Sequence, residues 1–164
     1  MMRGMAHLSA EDCEAIEEYV RELADALGLR DWLITVSSDS LDENAVIAEI
    51  RCVNGRKRAR ISFASYFKSL DLDVQREVVV HELLHVHWEG AWSVLRHDIA
   101  DYLGQLLYDH TMQSFRRQAE IGIDGIAHSI AHYLPLPKWE VNDEEEPIVE
   151  TIDFKEHPTG SARA

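Results

Sequence analysis

Glu77-Val78-Val79-Val80-His81-Glu82-Leu83-Leu84-His85-Val86 is the stretch from which the rest of the chain is read. Its apolar residues fall on more than one side, which predicts a buried helix rather than a surface one. One helical turn takes about 3.6 residues, so His81 and His85, four apart, project from the same face. Burying two imidazoles and the Glu82 carboxylate without partners is unfavourable. A divalent cation removes that penalty. The H-E-x-x-H spacing supplies two ligands and an adjacent carboxylate base, the minimum for metal-assisted hydrolysis with zinc (Zn2+). So short a motif also arises by chance in ordinary helices; the apolar frame is what favours the metal.

A catalytic zinc needs a third protein ligand and an open position. Downstream, Arg117-Gln118-Ala119-Glu120-Ile121-Gly122-Ile123-Asp124 offers Glu120 as ligand. Asp124, one turn further on, would orient a ligating imidazole through its outer nitrogen. The plainer reading is a solvated acidic face, but Ile121, Ile123 and Ile126 give this helix substantial apolar surface. His97, in Leu95-Arg96-His97, is the rival third ligand. His128 continues the Glu120–Asp124 face at the next four-residue step and is a further alternative. His87 lies two residues past His85 and points nearly the opposite way. His110 and His132 read as surface or packing residues.

The H-E-L-L-H pair followed by E-x-x-x-D resembles the gluzincin clan of metallopeptidases, the thermolysin-like pattern. The resemblance implies that His81, His85 and Glu120 bind zinc, Glu82 is the general base and Asp124 supports a ligating histidine. More narrowly, the chain resembles the minimal zincin-like metallopeptidases of phages and actinobacteria. The stretches that carry this are Gly28-Leu29-Arg30-Asp31-Trp32-Leu33-Ile34-Thr35-Val36, Ala59-Arg60-Ile61-Ser62-Phe63, and residues 78–85 and 119–135. In zincins an extended substrate adds to the sheet edge beside the zinc helix; by resemblance, residues 58–63 are that edge. The interval from His85 to Glu120 is longer than in thermolysin-like enzymes, which implies an extra helix between them. No downstream residue matches the family's transition-state histidine or tyrosine, leaving Tyr108, His110 and His128 as the candidates. With His97 as ligand the site would resemble the SprT-like proteases, which act on DNA-bound proteins; Asp98-Ile99-Ala100 stands where that family has glycine and aromatic residues.

The 164 residues suit one domain with a core of its own. Acidic residues outnumber basic ones 30 to 16, which argues against nucleic acid or an anionic membrane as partner. It also counts against the SprT-like alternative. Cys13 and Cys52 have no framework spacing, so no disulfide is expected. No apolar signal core and no run of membrane-spanning length are visible, which points to a cytoplasm, bacterial or of a phage-infected host.

Ser9 is placed to cap a first helix, with Asp12 in the capping-box position, and Gly28 ends it. Residues 32–36, 45–53 and 58–63 alternate as strands, the last two joined through Asn54-Gly55. Asp71 or Asp73 caps the H-E-x-x-H helix, which should end near Gly90. Helices over residues 91–107 and 111–133 follow, stopped by Pro135 and Pro137. The expected fold is α+β and zincin-like: a small antiparallel sheet of about three strands packed with an N-terminal helix, the motif helix and C-terminal helices. The domain is expected over residues 1–137, with an acidic tail over 138–164 whose apolar stretch 148–154 could lie in the groove or dock a partner. Three functions fit: a zinc peptidase acting on a peptide or protein, a regulatory protease like the ImmA/IrrE proteins, or a zinc-stabilised module that binds without cleaving.

Overall fold

The computed structural model describes residues 8–41, 46–53 and 55–139. Helix α1 (Ala10–Ala26) starts at Ser9, whose Oγ accepts the Asp12 N–H at 3.0 Å, the expected cap. It ends before Gly28, which takes φ +78. Strands β1 (Leu33–Val36), β2 (Ala48–Cys52) and β3 (Arg58–Phe63) form one sheet in the order β1-β3-β2. The connection through Gly55, at φ +69, folds β2 and β3 into an antiparallel pair, Ile50 opposite Ile61.

Two expectations are corrected here. The sheet is mixed, because β1 and β3 run parallel with Ile34 opposite Ala59. The polar stretch after β1 is too long for a tight turn, so β2 does not fold back beside β1 and β3 enters between them. Residues 58–63 are consequently the central strand, with a neighbour on each side, and not an edge. The edge beside the motif helix is β2.

Helix α2 (Leu72–Ser93) runs past Gly90, which does not end it. It is buried on several sides, through Val79, Val80, Leu83, Leu84 and Val86. The sheet covers one side, α1 another and α3 (Gln105–Ile130) a third. Between α2 and α3 the chain forms a π-helical turn (Val94–Ile99) and a short 3-10 turn (Ala100–Tyr102), where a separate α-helix over residues 91–107 was expected. The apolar side of the sheet, Ala59, Ile61 and Phe63 of β3 with Ile34 and Ala48, packs into one core with Ile16, Val20 and Leu23 of α1 and with α2. Cys13 and Cys52 are both free thiols.

After α3, residues 134–139 turn back across the helices. Tyr19 donates its hydroxyl to the Pro135 carbonyl at 2.9 Å, and Arg76 donates to the Leu134 carbonyl at 3.1 Å. Trp139 packs edge-on against Tyr19 and donates to Gln75 at 3.1 Å. Lys138 pairs with Glu22 at 3.1 Å. These contacts pack residues 134–139 against the helices, and the stretch 148–154 lies outside the described residues. Among the described residues, no helix is long and apolar enough to cross a membrane.

Ile123 is fully buried where α3 meets the core. Ile123→Ala is expected to lower unfolding free energy by about 2–5 kcal/mol in urea titrations. Lys68, then Ser9, hold the Asp12 carboxyl below its ordinary value of 3.8. A depressed acid stabilises the fold above its unfolded pKa and loses that contribution as pH falls through the folded pKa. Asp12→Asn should therefore lower stability at neutral pH by no more than about 1 kcal/mol, the difference from wild type closing below pH 3.8. Urea midpoints measured at neutral and acid pH check it.

Candidate metal centre

Helices α2 and α3 pack antiparallel in a fixed register, so one turn forward on α2 meets one turn back on α3. Glu77 faces His128, with Oε1 3.2 Å from Nδ1. His81 faces Asp124, with Nδ1 2.9 Å from Oδ1. His85 faces Glu120, with Nε2 3.4 Å from Oε2. Glu120 reaches across to His81 as well, Oε2 lying 3.6 Å from its Nε2. The two histidine Nε2 atoms are 3.1 Å apart.

These three ligand atoms form a nearly equilateral triangle. Ligands held at about 2.1 Å from one zinc with tetrahedral angles stand about 3.4 Å from each other. The observed edges of 3.1, 3.4 and 3.6 Å bracket that value, so the spacing of the three donor atoms is compatible with one zinc ion. Among the described residues, His81, His85 and Glu120 are the one group so arranged. Asp124 beside Nδ1 of His81 favours a proton there, which leaves Nε2 as a bare donor. A set of two imidazoles and one carboxylate suits zinc and leaves a fourth position open.

The electrostatics are those of a site short of positive charge. Glu120 is held well below the ordinary carboxylate range by His81 and His85. Burial opposes charging His81, but Glu120, Glu82 and Asp124 outweigh it and raise its pKa. Burial also pushes Glu82 up to about 7, against the pull of both histidines. Glu82 sits in the seam between α2 and β2, where its Oε2 accepts the Ile50 backbone N–H at 2.8 Å. In an antiparallel pair, alternate residues turn their backbone groups away from the partner strand. Val53 N–H bonds to Arg58 and Ala64 N–H to Ile47, so Ala48, Ile50 and Cys52 present theirs on the free edge.

That edge forms one wall of an open groove of about 2050 Å³, with His81, His85 and Glu120 on its floor and α3 opposite. Ordinary small-molecule pockets run to about 300–1,000 Å³, so this groove has room for an extended chain. Its far end carries Trp92 and Arg96. Arg96, on the π-helical turn, is paired with Glu89 and lies over the Trp92 ring at 5.8 Å.

The alternatives fall elsewhere. His97 is on the π-helical turn and outside the donor group. His128 lines the groove but is paired with Glu77. His87 donates to the Leu27 carbonyl at 3.0 Å, on the far side of α2. Of the three candidates for a transition-state donor, Tyr108 and His110 do not line the groove. The sequence reading missed Arg116, which does. It sits one turn before Glu120, with Nε 3.9 Å from Oε1, the oxygen turned away from the histidines. The four-residue step back from Glu120 is the signal that could have found it. No protein-family model, no curated protein and no solved structure matches this chain.

Glu120→Ala and His85→Ala should each lose stoichiometric zinc, whereas His97→Ala should retain it, as read by elemental analysis after gel filtration. Asp124→Asn is expected to weaken zinc about 10–100-fold in competition with a chromogenic chelator.

Proposed function

We propose that this protein is a zinc-dependent peptidase that hydrolyses a bond in an extended polypeptide. The observation that carries the reading is the triangle of His81 Nε2, His85 Nε2 and Glu120 Oε2, set in a groove with the Glu82 carboxylate next to it. Bound there, zinc would supply Lewis acidity, acidifying a water molecule and polarising the scissile carbonyl.

The chain's own residues do the rest. The β2 edge lines up the substrate backbone, with Ala48 and Cys52 offering outward groups on either side of Ile50. Ile50 holds one oxygen of Glu82 in place, which fixes the carboxylate beside the reacting position. Glu82 takes the proton of the attacking water and passes it to the leaving amine. Its burial weakens it as an acid, which suits a group that must both accept and return a proton near neutrality. Arg116, facing the site from α3, receives the negative charge that develops on the carbonyl oxygen. Asp124, beside Nδ1 of His81, holds that ring's orientation so that Nε2 faces the site.

A second reading has one observation in its favour. The Glu82 carboxylate already has a structural role, bonding the edge strand to α2, as it would in a zinc-stabilised binding module.

Glu82→Gln separates the two, because the amide oxygen still accepts from Ile50 while the base is lost. On a proteome-derived peptide library read by mass spectrometry, Glu82→Gln should lose cleavage by at least about 100-fold with zinc content and Tm unchanged. Equal cleavage by the variant and wild type would remove the peptidase reading. Wild type that takes up zinc but cleaves nothing would favour the module. Arg116→Ala should lower kcat by about 100-fold with KM nearly constant, and Arg116→Lys should restore part of it.

A further inference from the structure

The sheet has a second face, turned away from the helices. On it β2 contributes Glu49 and Arg51, and β3 contributes Arg58, Arg60 and Ser62. β1 adds Leu33 beside Arg58 and Thr35 beside Arg60. Arg56 and Lys57 extend this basic surface at the turn between β2 and β3. All five cations are exposed, in a chain of formal net charge −14. Glu49 pairs with Arg51 at 3.0 Å and Asp31 with Lys57. Arg56, Arg58 and Arg60 have no ion-pair partner among the described residues.

The arrangement works against the fold. Arg51 and Arg60 stand directly opposite each other in the β2–β3 register, and like charges so placed are destabilising. A chain with 30 acidic residues has ample means to alternate the signs, yet it keeps three arginines on two neighbouring strands.

We propose that this outer face is a docking surface for an acidic segment of a protein partner. Charge complementarity selects the acid. Guanidinium groups take carboxylates through two parallel hydrogen bonds, and the patch is built from arginine with a single lysine. Two exposed apolar side chains, Leu33 at 53% and Val53 at 48%, flank it and suit a peptide that mixes acidic with aliphatic residues. A nucleic acid fits less well. Phe63, the one aromatic residue of these strands, is buried on the inner face, so the outer face offers no ring to stack a base, and a polyanion that reaches past the patch meets a chain of formal net charge −14. At physiological salt, charges beyond about 8 Å are screened, so the local patch and not the net charge governs a short acidic segment. Arg51 also lines the groove, so under the peptidase reading the bound partner is the substrate, held beside the site by residues away from the cut. The docking itself does not depend on that reading.

The test uses the full chain and binding alone. The probe is a fluorescein-labelled twelve-residue peptide of glutamate, leucine and serine, with a glutamine-for-glutamate peptide and a twelve-base-pair DNA duplex as comparisons. Fluorescence anisotropy should show saturable binding of the acidic peptide, weakened at least tenfold in R58E/R60E. R58Q/R60Q should fall between, and both variants should keep the wild-type circular dichroism spectrum and zinc content. Raising the salt from about 50 to 300 mM should weaken binding several-fold. Binding that is absent, or equal in wild type and R58E/R60E, overturns the proposal. So does duplex DNA bound as tightly as the peptide. Replacing Asp143, Glu144, Glu145 and Glu146 by serine should leave the affinity unchanged. A tenfold rise would make the chain's own acidic run the occupant and overturn a partner in trans. Loss of cleavage in Glu82→Gln with peptide binding intact would separate this surface from the metal centre.

Discussion

The antiparallel register of α2 against α3 is the constraint on which the rest of the molecule depends. Three polar pairs lie along that seam at one-turn intervals: Glu77 with His128, His81 with Asp124, and His85 with Glu120. Slipping the helices by one turn would move Glu120 from His85 to His81 or beyond, and the triangle of donor atoms would be lost. The register is held by packing, through the buried Ala119, Ile123 and Ala127 of α3 and the many-sided burial of α2. It is also held by the chain beyond α3, which Tyr19, Gln75 and Arg76 fasten to the other helices.

Glu82 links this helix pair to the sheet. A buried carboxylate is unfavourable unless its oxygens find donors, and an outward backbone N–H next to a buried wall is unfavourable unless it finds an acceptor. The Glu82–Ile50 hydrogen bond answers both at once. It sets the free strand edge next to the two histidines, and the open groove between β2 and α3 follows from that placement. The proposed base is therefore also one of the ties that position the groove wall.

The two faces of the sheet divide the charge of the molecule. The inner face is apolar and carries the core, while the outer face gathers cations in a chain dominated by acids. Carboxylates collect instead along the groove, where Glu77, Glu82, Glu89, Glu120 and Asp124 lie. A divalent cation at the histidine pair would offset much of that charge.

The motif residues His81, Glu82 and His85 were legible in the sequence because four-residue spacing on a helix is a local property, fixed by helical pitch. Glu120 and Asp124 were legible for the same reason as a pair, as were the Ser9 cap, the Gly28 stop and the hairpin through Gly55. The strand order was not legible. Nothing local in Leu33-Ile34-Thr35-Val36 says that its neighbour will be β3 and parallel, since strand partners are chosen by how the buried faces and connections fit together in space. The same limit hid the edge role of β2, the π-helical turn that carries Arg96, and Arg116 as a groove residue. Sequence by itself determined which side chains share a helical face. Which face meets which, and hence that a carboxylate 35 positions beyond His85 stands 3.4 Å from it, was decided by tertiary packing alone, because burial of apolar surface is a property of the whole chain.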